Sequence, residues 1–143
     1  MEKNILGLDL GKGSLGMAIS RSGIFVTPLP NLRFKAGDYE EAYRLLLKAV
    51  FNETVSVIAI GYPLFPSGDP CEMTPIVDAF IPRLEEAFPG IPIHRVDERN
   101  STVEAAAILH DNGEKAKKQR RHIDSIAATV ILERYLRSIG QLD

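Results

Sequence analysis

Three acidic positions are the part of this chain best suited to chemistry: Asp9, the Asp97-Glu98 pair and Asp124. Asp9 lies within Ile5-Leu-Gly-Leu-Asp-Leu10, an apolar run that reads as a buried strand. A carboxylate there is costly unless something pairs with it, and a metal ion or bound phosphate is the usual reason to keep one. The turn Gly11-Lys-Gly13 that follows is expected to use positive φ and to let other groups approach the carboxylate. Alone, this Asp-x-Gly hairpin fits a metal site, a phosphate cradle or an ordinary hairpin with a polar edge. Asp97-Glu98 ends another apolar strand, and Asp124 starts the last helix on the flank of its apolar stripe, where the helix dipole alone would also favour an acid. Asp9, Glu98 and Asp124 together form an acidic triad able to hold Mg²⁺ or Mn²⁺, hard cations that take oxygen ligands. Asp97 is the competing or auxiliary ligand. Two such ions ~4 Å apart stabilise both the attacking and the leaving oxygen in phosphodiester hydrolysis, with water as nucleophile. No Ser/His/Asp or Cys/His arrangement competes with this reading.

A phosphodiester substrate calls for cations, and the sequence supplies them locally. Lys115, Lys117, Lys118, Arg120 and Arg121 crowd one short segment, where like charges repel without a partner. Contacts from such a segment to phosphate would position nucleic acid without reading its sequence. Lys12 at the hairpin tip is a further phosphate contact. Arg99 either touches phosphate or braces the neighbouring acids. Glu104 is the acid of the capping box Ser101-Thr-Val-Glu104 and is given no chemistry. His122 reads as a helix-start side chain, and Cys71, Tyr62 and Phe65 as loop residues without a catalytic role.

The elements that must position these residues follow from periodicity and turn chemistry. Strands are expected over 4–10, 15–21 and 24–28, the third an edge strand because of its prolines, with a loop over 29–37. Asp38 caps a helix to about Asn52. Val55 to Ile60 is a strand buried on both faces, ending in the proline- and glycine-rich loop 61–70. Thr74-Pro75 should cap a helix that Pro82 kinks or splits, and 91–96 is the last strand. Helices then start at Ser101, ending near Asn112, and at Ile123, ending near Arg137. This order implies an α/β fold with a mixed five-stranded sheet, an antiparallel three-stranded meander joined to two parallel strands and flanked by helices. Sites in such sheets lie beyond the carboxyl ends of the parallel strands; Asp9 is late in the first strand and Asp97-Glu98 end the last, so their carboxylates share one end of the sheet if those strands run parallel and close together.

At 143 residues, with 45% hydrophobic and 25% charged residues, the chain is expected to be a single domain over 1–143 with a core of its own. One cysteine, no basic-then-apolar leader and no long apolar run point to a cytoplasmic protein without membrane attachment. The net charge of −2 excludes a wholesale nucleic-acid coat and leaves the basic segment as the place for contact.

Three stretches resemble the YqgF/RuvX family: Asp-Leu-Gly-x-x-x-x-Gly-x-Ala from Asp9 to Ala18, Asp-Glu-Arg-x-Ser-Thr-Val-Glu-Ala from Asp97 to Ala105, and Ile-Asp-x-x-Ala-Ala-x-x-Ile-Leu from Ile123 to Leu132. The resemblance covers essentially the whole chain. It implies an RNase H-like fold and a metal-dependent nuclease, described either as maturing the small-subunit ribosomal RNA precursor or as resolving Holliday junctions. By position it matches Asp9, Glu98 and Asp124 to the family's metal-binding acids. Asn100 stands where the family has leucine, and Phe65-Pro-Ser-Gly-Asp-Pro70 replaces the family's Asn-x-Asp-Gly turn. The expected partner is an rRNA precursor or branched DNA, bound by a monomer or a homodimer. The rivals are a nucleotide-binding ATPase of the actin and sugar-kinase type, which needs a second domain that this length does not accommodate, and a non-catalytic rRNA-binding assembly factor.

Overall fold

The computed structural model describes residues 4–99 and 116–140, with side chains in the last helix from Ile126 onward. The elements are β1 (Ile5–Leu10), β2 (Ser14–Ser20), β3 (Thr27–Arg33), α1 (Tyr39–Ala49), β4 (Val57–Tyr62), α2 (Thr74–Ala87), β5 (Ile93–Asp97) and α3 (Ala116–Ser138). The expected mixed sheet forms in the order β3-β2-β1-β4-β5. β1, β2 and β3 are antiparallel neighbours, whereas β4 runs parallel to both β1 and β5.

Two apolar layers sandwich this sheet. Leu6, Leu8 and Leu10 of β1, with Leu15, Met17, Ile58 and Ile60, pack against Ala42 and Leu46 of α1 and Val77, Phe80 and Leu84 of α2. Ile5, Ala18, Val57 and Ala59 face the other way, onto Ala128, Leu132, Tyr135 and Leu136 of α3. The period-two alternation of β1 thus sends even positions to α1 and α2 and odd positions to α3. Asp9 is odd, so it shares the α3 face with Ile5 and Gly7.

Several expected boundaries move, each for a local reason. The third strand lies at Thr27–Arg33, taking up residues expected as loop; Pro28 and Pro30 are tolerated because β3 is an edge strand. β4 begins and ends two residues later than expected, carrying Gly61 and Tyr62 into the sheet. Asp38 caps α1 as anticipated, accepting from the Glu41 N–H at 3.1 Å. Thr74 does not cap α2. Its hydroxyl donates to the Pro63 carbonyl at 2.5 Å and accepts from the Cys71 N–H at 2.8 Å, tying the loop after β4 to the helix start. α2 runs unbroken through Pro82. Gly11 and Gly13 do not adopt positive φ, so the β1–β2 turn closes without it; the Gly11 N–H donates to the Ser14 carbonyl at 2.8 Å. α3 starts at Ala116, so positions 117–121 belong to its first turns rather than to a loop. The helix expected from Ser101, Glu104 included, and Lys115 lie outside the described residues. Among the described residues no helix is long and apolar enough to cross a membrane.

Close approach of α3 to β1 depends on Gly7. A Cβ there would sit 2.9 Å from Leu132 Cβ and 3.1 Å from the Ala128 carbonyl oxygen, and neither can swing aside easily. Gly7→Ala is expected to cost about 1–3 kcal/mol in urea denaturation through overpacking; an unchanged midpoint would mean that α3 can retreat from the sheet.

Candidate metal and nucleic-acid site

The site begins with register. Gly7 pairs with Ala59 and Leu8 with Ile60, so Asp9 falls level with Gly61 at the carboxyl end of the parallel pair. On its other side Asp9 pairs with Gly16 of β2. Gly61 in turn pairs with Val96 of β5, and Glu98 follows two residues later on the same face. Two strands that are not neighbours therefore bring carboxylates toward one point, across a β4 residue without a side chain. Gly61 is what makes the meeting possible. A Cβ on it would lie 3.0 Å from the Glu98 carboxyl carbon and nearer still to Oε2 and to Ile131 Cδ1.

Asp9 and Glu98 hydrogen-bond through their side chains. Burial, the largest influence, pushes the Glu98 carboxyl above the usual carboxylate range. Asp9 and Arg134 pull it back, while Cys71 and Asp97 push it further up. Two carboxyl groups in contact need a shared proton or a cation. The donor chemistry, oxygen atoms alone on a half-buried pair, suits a hard divalent cation. Among the described residues no group of three or more His, Cys, Asp or Glu side chains forms a metal cage; the Asp124 side chain lies outside them.

The helix backbone nonetheless gives position 124 a place. Tyr135 stacks on His94 near the start of β5, with ring centroids 5.1 Å apart, and Ile131 closes over Gly61 near the end of β4. Earlier turns of α3 thus lie toward the carboxyl ends of the strands. Position 124 is one turn before Ala128 on the stripe that covers Gly7.

Asp97 does not join the acid pair. Its carboxylate takes the Arg99 backbone N–H at 3.0 Å and the Arg99 guanidinium at 2.6–3.1 Å, and Arg99 holds it below the usual carboxylate range. Arg99 also donates from Nη1 to the Pro66 carbonyl at 3.3 Å, bracing the small hairpin whose Leu64 and Pro70 bridge. Of its two expected roles, bracing is the one this geometry displays. Lys12 pairs with Glu72 at 2.6 Å at the exposed hairpin tip. Lys117, Lys118, Arg120 and Arg121 occupy the first turns of α3, with side chains outside the described residues.

Sequence reasoning treated Gly61 as a strand boundary and overlooked its role as the gap in which Glu98 sits. The available signal was a glycine ending a β-branched run, where a bulky residue would otherwise serve the sheet better. Arg134, whose Nη1 donates to the Asp97 carbonyl at 2.7 Å, was also missed. Nothing local in the sequence marks it.

The raised Glu98 carboxyl has a consequence for stability. The folded chain holds this proton more tightly than the unfolded one, so ionising Glu98 removes stability as pH rises from about 4.3, the unfolded value, through the raised folded value. In the presence of a chelator, Glu98→Gln is expected to melt higher than the parent at pH 7, with the difference disappearing near pH 4. Thermal scans at the two pH values check this, and an equal difference at both would refute it.

The sequence pattern of the RuvX family, described as Holliday junction resolvase, matches residues 3–138. A relative from Onion yellows phytoplasma is 36% identical, covering 92% of this chain and 87% of its own length. One from Chlorobaculum tepidum is 34% identical, covering 95% and 94%; both carry the name "Putative pre-16S rRNA nuclease". Among solved structures, Thermus thermophilus RuvC in complex with a Holliday junction substrate superposes with a TM-score of 0.57 at 14% identity, covering 97% of each chain. That likeness establishes the RNase H-like fold. With its pattern matched over nearly the whole length, and relatives aligned along most of theirs, the chain belongs to the RuvX family.

Proposed function

We propose that this protein is a metal-dependent nuclease, one RNase H-like domain over residues 1–143, that hydrolyses phosphodiester bonds in structured RNA at the end of the pre-16S rRNA. The observation that carries the reading is the meeting of Asp9 and Glu98 over Gly61 at the carboxyl end of the parallel strands. Asp9 and Glu98, with Asp124 from α3, would hold Mg²⁺ or Mn²⁺, and Asp97 serves the pair indirectly through its engagement with Arg99. When bound, such a cation supplies positive charge for the phosphate oxygens and makes water a better nucleophile. The chain's own contribution is placement. β1 fixes Asp9 in the centre of the sheet, the ladder to β4 fixes its level, and Arg99 ties the loop after β4 to the end of β5.

Nucleic acid would be held by backbone contacts. Lys12 stands at the tip of the same hairpin that carries Asp9, and its pairing with Glu72 is exposed and screened by solvent, so a phosphate can displace it. Lys115, Lys117, Lys118, Arg120 and Arg121 would continue that track along the start of α3. Arg99 contributes by bracing and lends its charge to the same rim. A cytoplasmic location accords with an rRNA substrate. The family description favours a second reading, a branched-DNA resolvase, which would work as a two-fold homodimer, whereas end processing of RNA suits a monomer.

Both readings share the acid pair and differ in substrate. One assay series with Mn²⁺, comparing a pre-16S rRNA end, a four-way junction and single strands, separates them; preferential cutting of the junction would overturn the RNA assignment. Asp9→Asn should abolish cleavage, by 100-fold or more on the order expected for a lost metal ligand, while nucleic-acid binding measured by gel shift largely survives. Undiminished Mn²⁺-dependent cleavage by purified Asp9→Asn protein would remove the acid pair from the reaction, and absence of cleavage by the parent on every substrate, with salt-sensitive RNA binding, would favour the assembly factor.

A further inference from the structure

The end of β5 is gripped from two directions. Arg99 takes the Asp97 side chain with its guanidinium. Arg134 reaches across from α3 and donates to the Asp97 carbonyl at 2.7 Å. That carbonyl belongs to the peptide that joins Asp97 to Glu98. The sheet itself holds this peptide poorly, because the Glu98 N–H is 3.4 Å from the Tyr62 carbonyl. Arg134 also lies three residues, just under one helical turn, beyond Ile131, whose Cδ1 closes over Gly61. One side of one helix therefore both bounds the space beside Glu98 and grips the backbone that carries it.

We infer that Arg134 is a positioning residue for the acid pair: its hydrogen bond to the Asp97 carbonyl sets the orientation of the peptide on which Glu98 stands, and so the meeting of Glu98 with Asp9. The inference rests on the reading of that pair as the nuclease site. Rotation of one peptide swings the following side chain by an ångström or more, and displacements of that size cost on the order of 100-fold in rate. A guanidinium suits the task because it stays charged and presents several donors from a rigid plane.

Arg134→Met keeps the stem and removes the donors; Arg134→Lys keeps a charged N–H donor group. The Met variant is expected to lose about 10- to 100-fold in kcat, the range for groups that orient metal ligands, with KM for nucleic acid unchanged, and the Lys variant to recover most of that loss. In chelator-treated protein, hydrogen exchange at the Glu98 amide should quicken in the Met variant and stay near the parent rate in the Lys variant. Should the Met variant fail to fold, Arg134→Gln, whose amide is too short to reach the carbonyl, is expected to behave as the Met variant would. A raised KM with a weaker salt dependence and unchanged kcat would make Arg134 a phosphate contact and overturn the proposal. Unaltered exchange at Glu98 would overturn it too, and this readout decides the role of Arg134 even if the parent proves to cleave nothing.

Discussion

Two carboxyl groups touching one another on a half-buried sheet face are electrostatically unfavourable, and much of this structure is arranged so that they can touch. Asp9 must be in the middle strand to be held rigidly, and Glu98 must come from a strand one further over. The residue between them must then have no side chain. Gly61 meets that demand, Ile131 closes the space above it, and Arg134 and Arg99 hold the strand end that delivers Glu98.

The arrangement also explains how the layers of the molecule divide their work. The face of the sheet toward α1 and α2 is packed with Leu, Ile, Val and Phe and, among the described residues, forms the larger apolar cluster. The face toward α3 sets small residues, Gly7, Ala18 and Ala59, between Ile5 and Val57, and Ala128 of α3 meets them, which lets the helix come close. The first layer buries large apolar side chains. The second gives up side-chain volume for proximity, and it is there that an ionisable pair is tolerated, in keeping with the general opposition between an optimised core and a working site.

What the sequence made legible was the part governed by short-range pattern. The alternation in Ile5–Leu10 placed Asp9 in a strand, and a dense β-branched run located β4 to within two residues. The mixed sheet followed from element order alone. The edge position of β3 was legible from its prolines, but its bounds were not, because Pro28 and Pro30 look like the end of a strand and the ladder to β2 carries the strand through them to Arg33. The choice between Asp97 and Glu98 as the partner of Asp9 was open in sequence for a similar reason. Adjacent strand residues point to opposite faces, and which face α3 would cover depends on Gly7 and Ala128 meeting across the core. Thr74 had the chemistry of a helix cap and spends it on the loop before the helix. Arg134 was illegible because its partner is a backbone carbonyl far away in sequence.

The order of strands in the sheet has a bearing on how the protein comes into being. β1 leaves the ribosome early, but its acid finds its counterpart only after β4 has inserted beside it and β5 has docked on β4. Both pairings are parallel and non-local, the kind of contact that closes late in folding. A chain that is partly synthesised or partly folded thus carries the acids without the site. Asp9 and Glu98 can therefore act together only in a chain whose sheet is complete from β1 to β5.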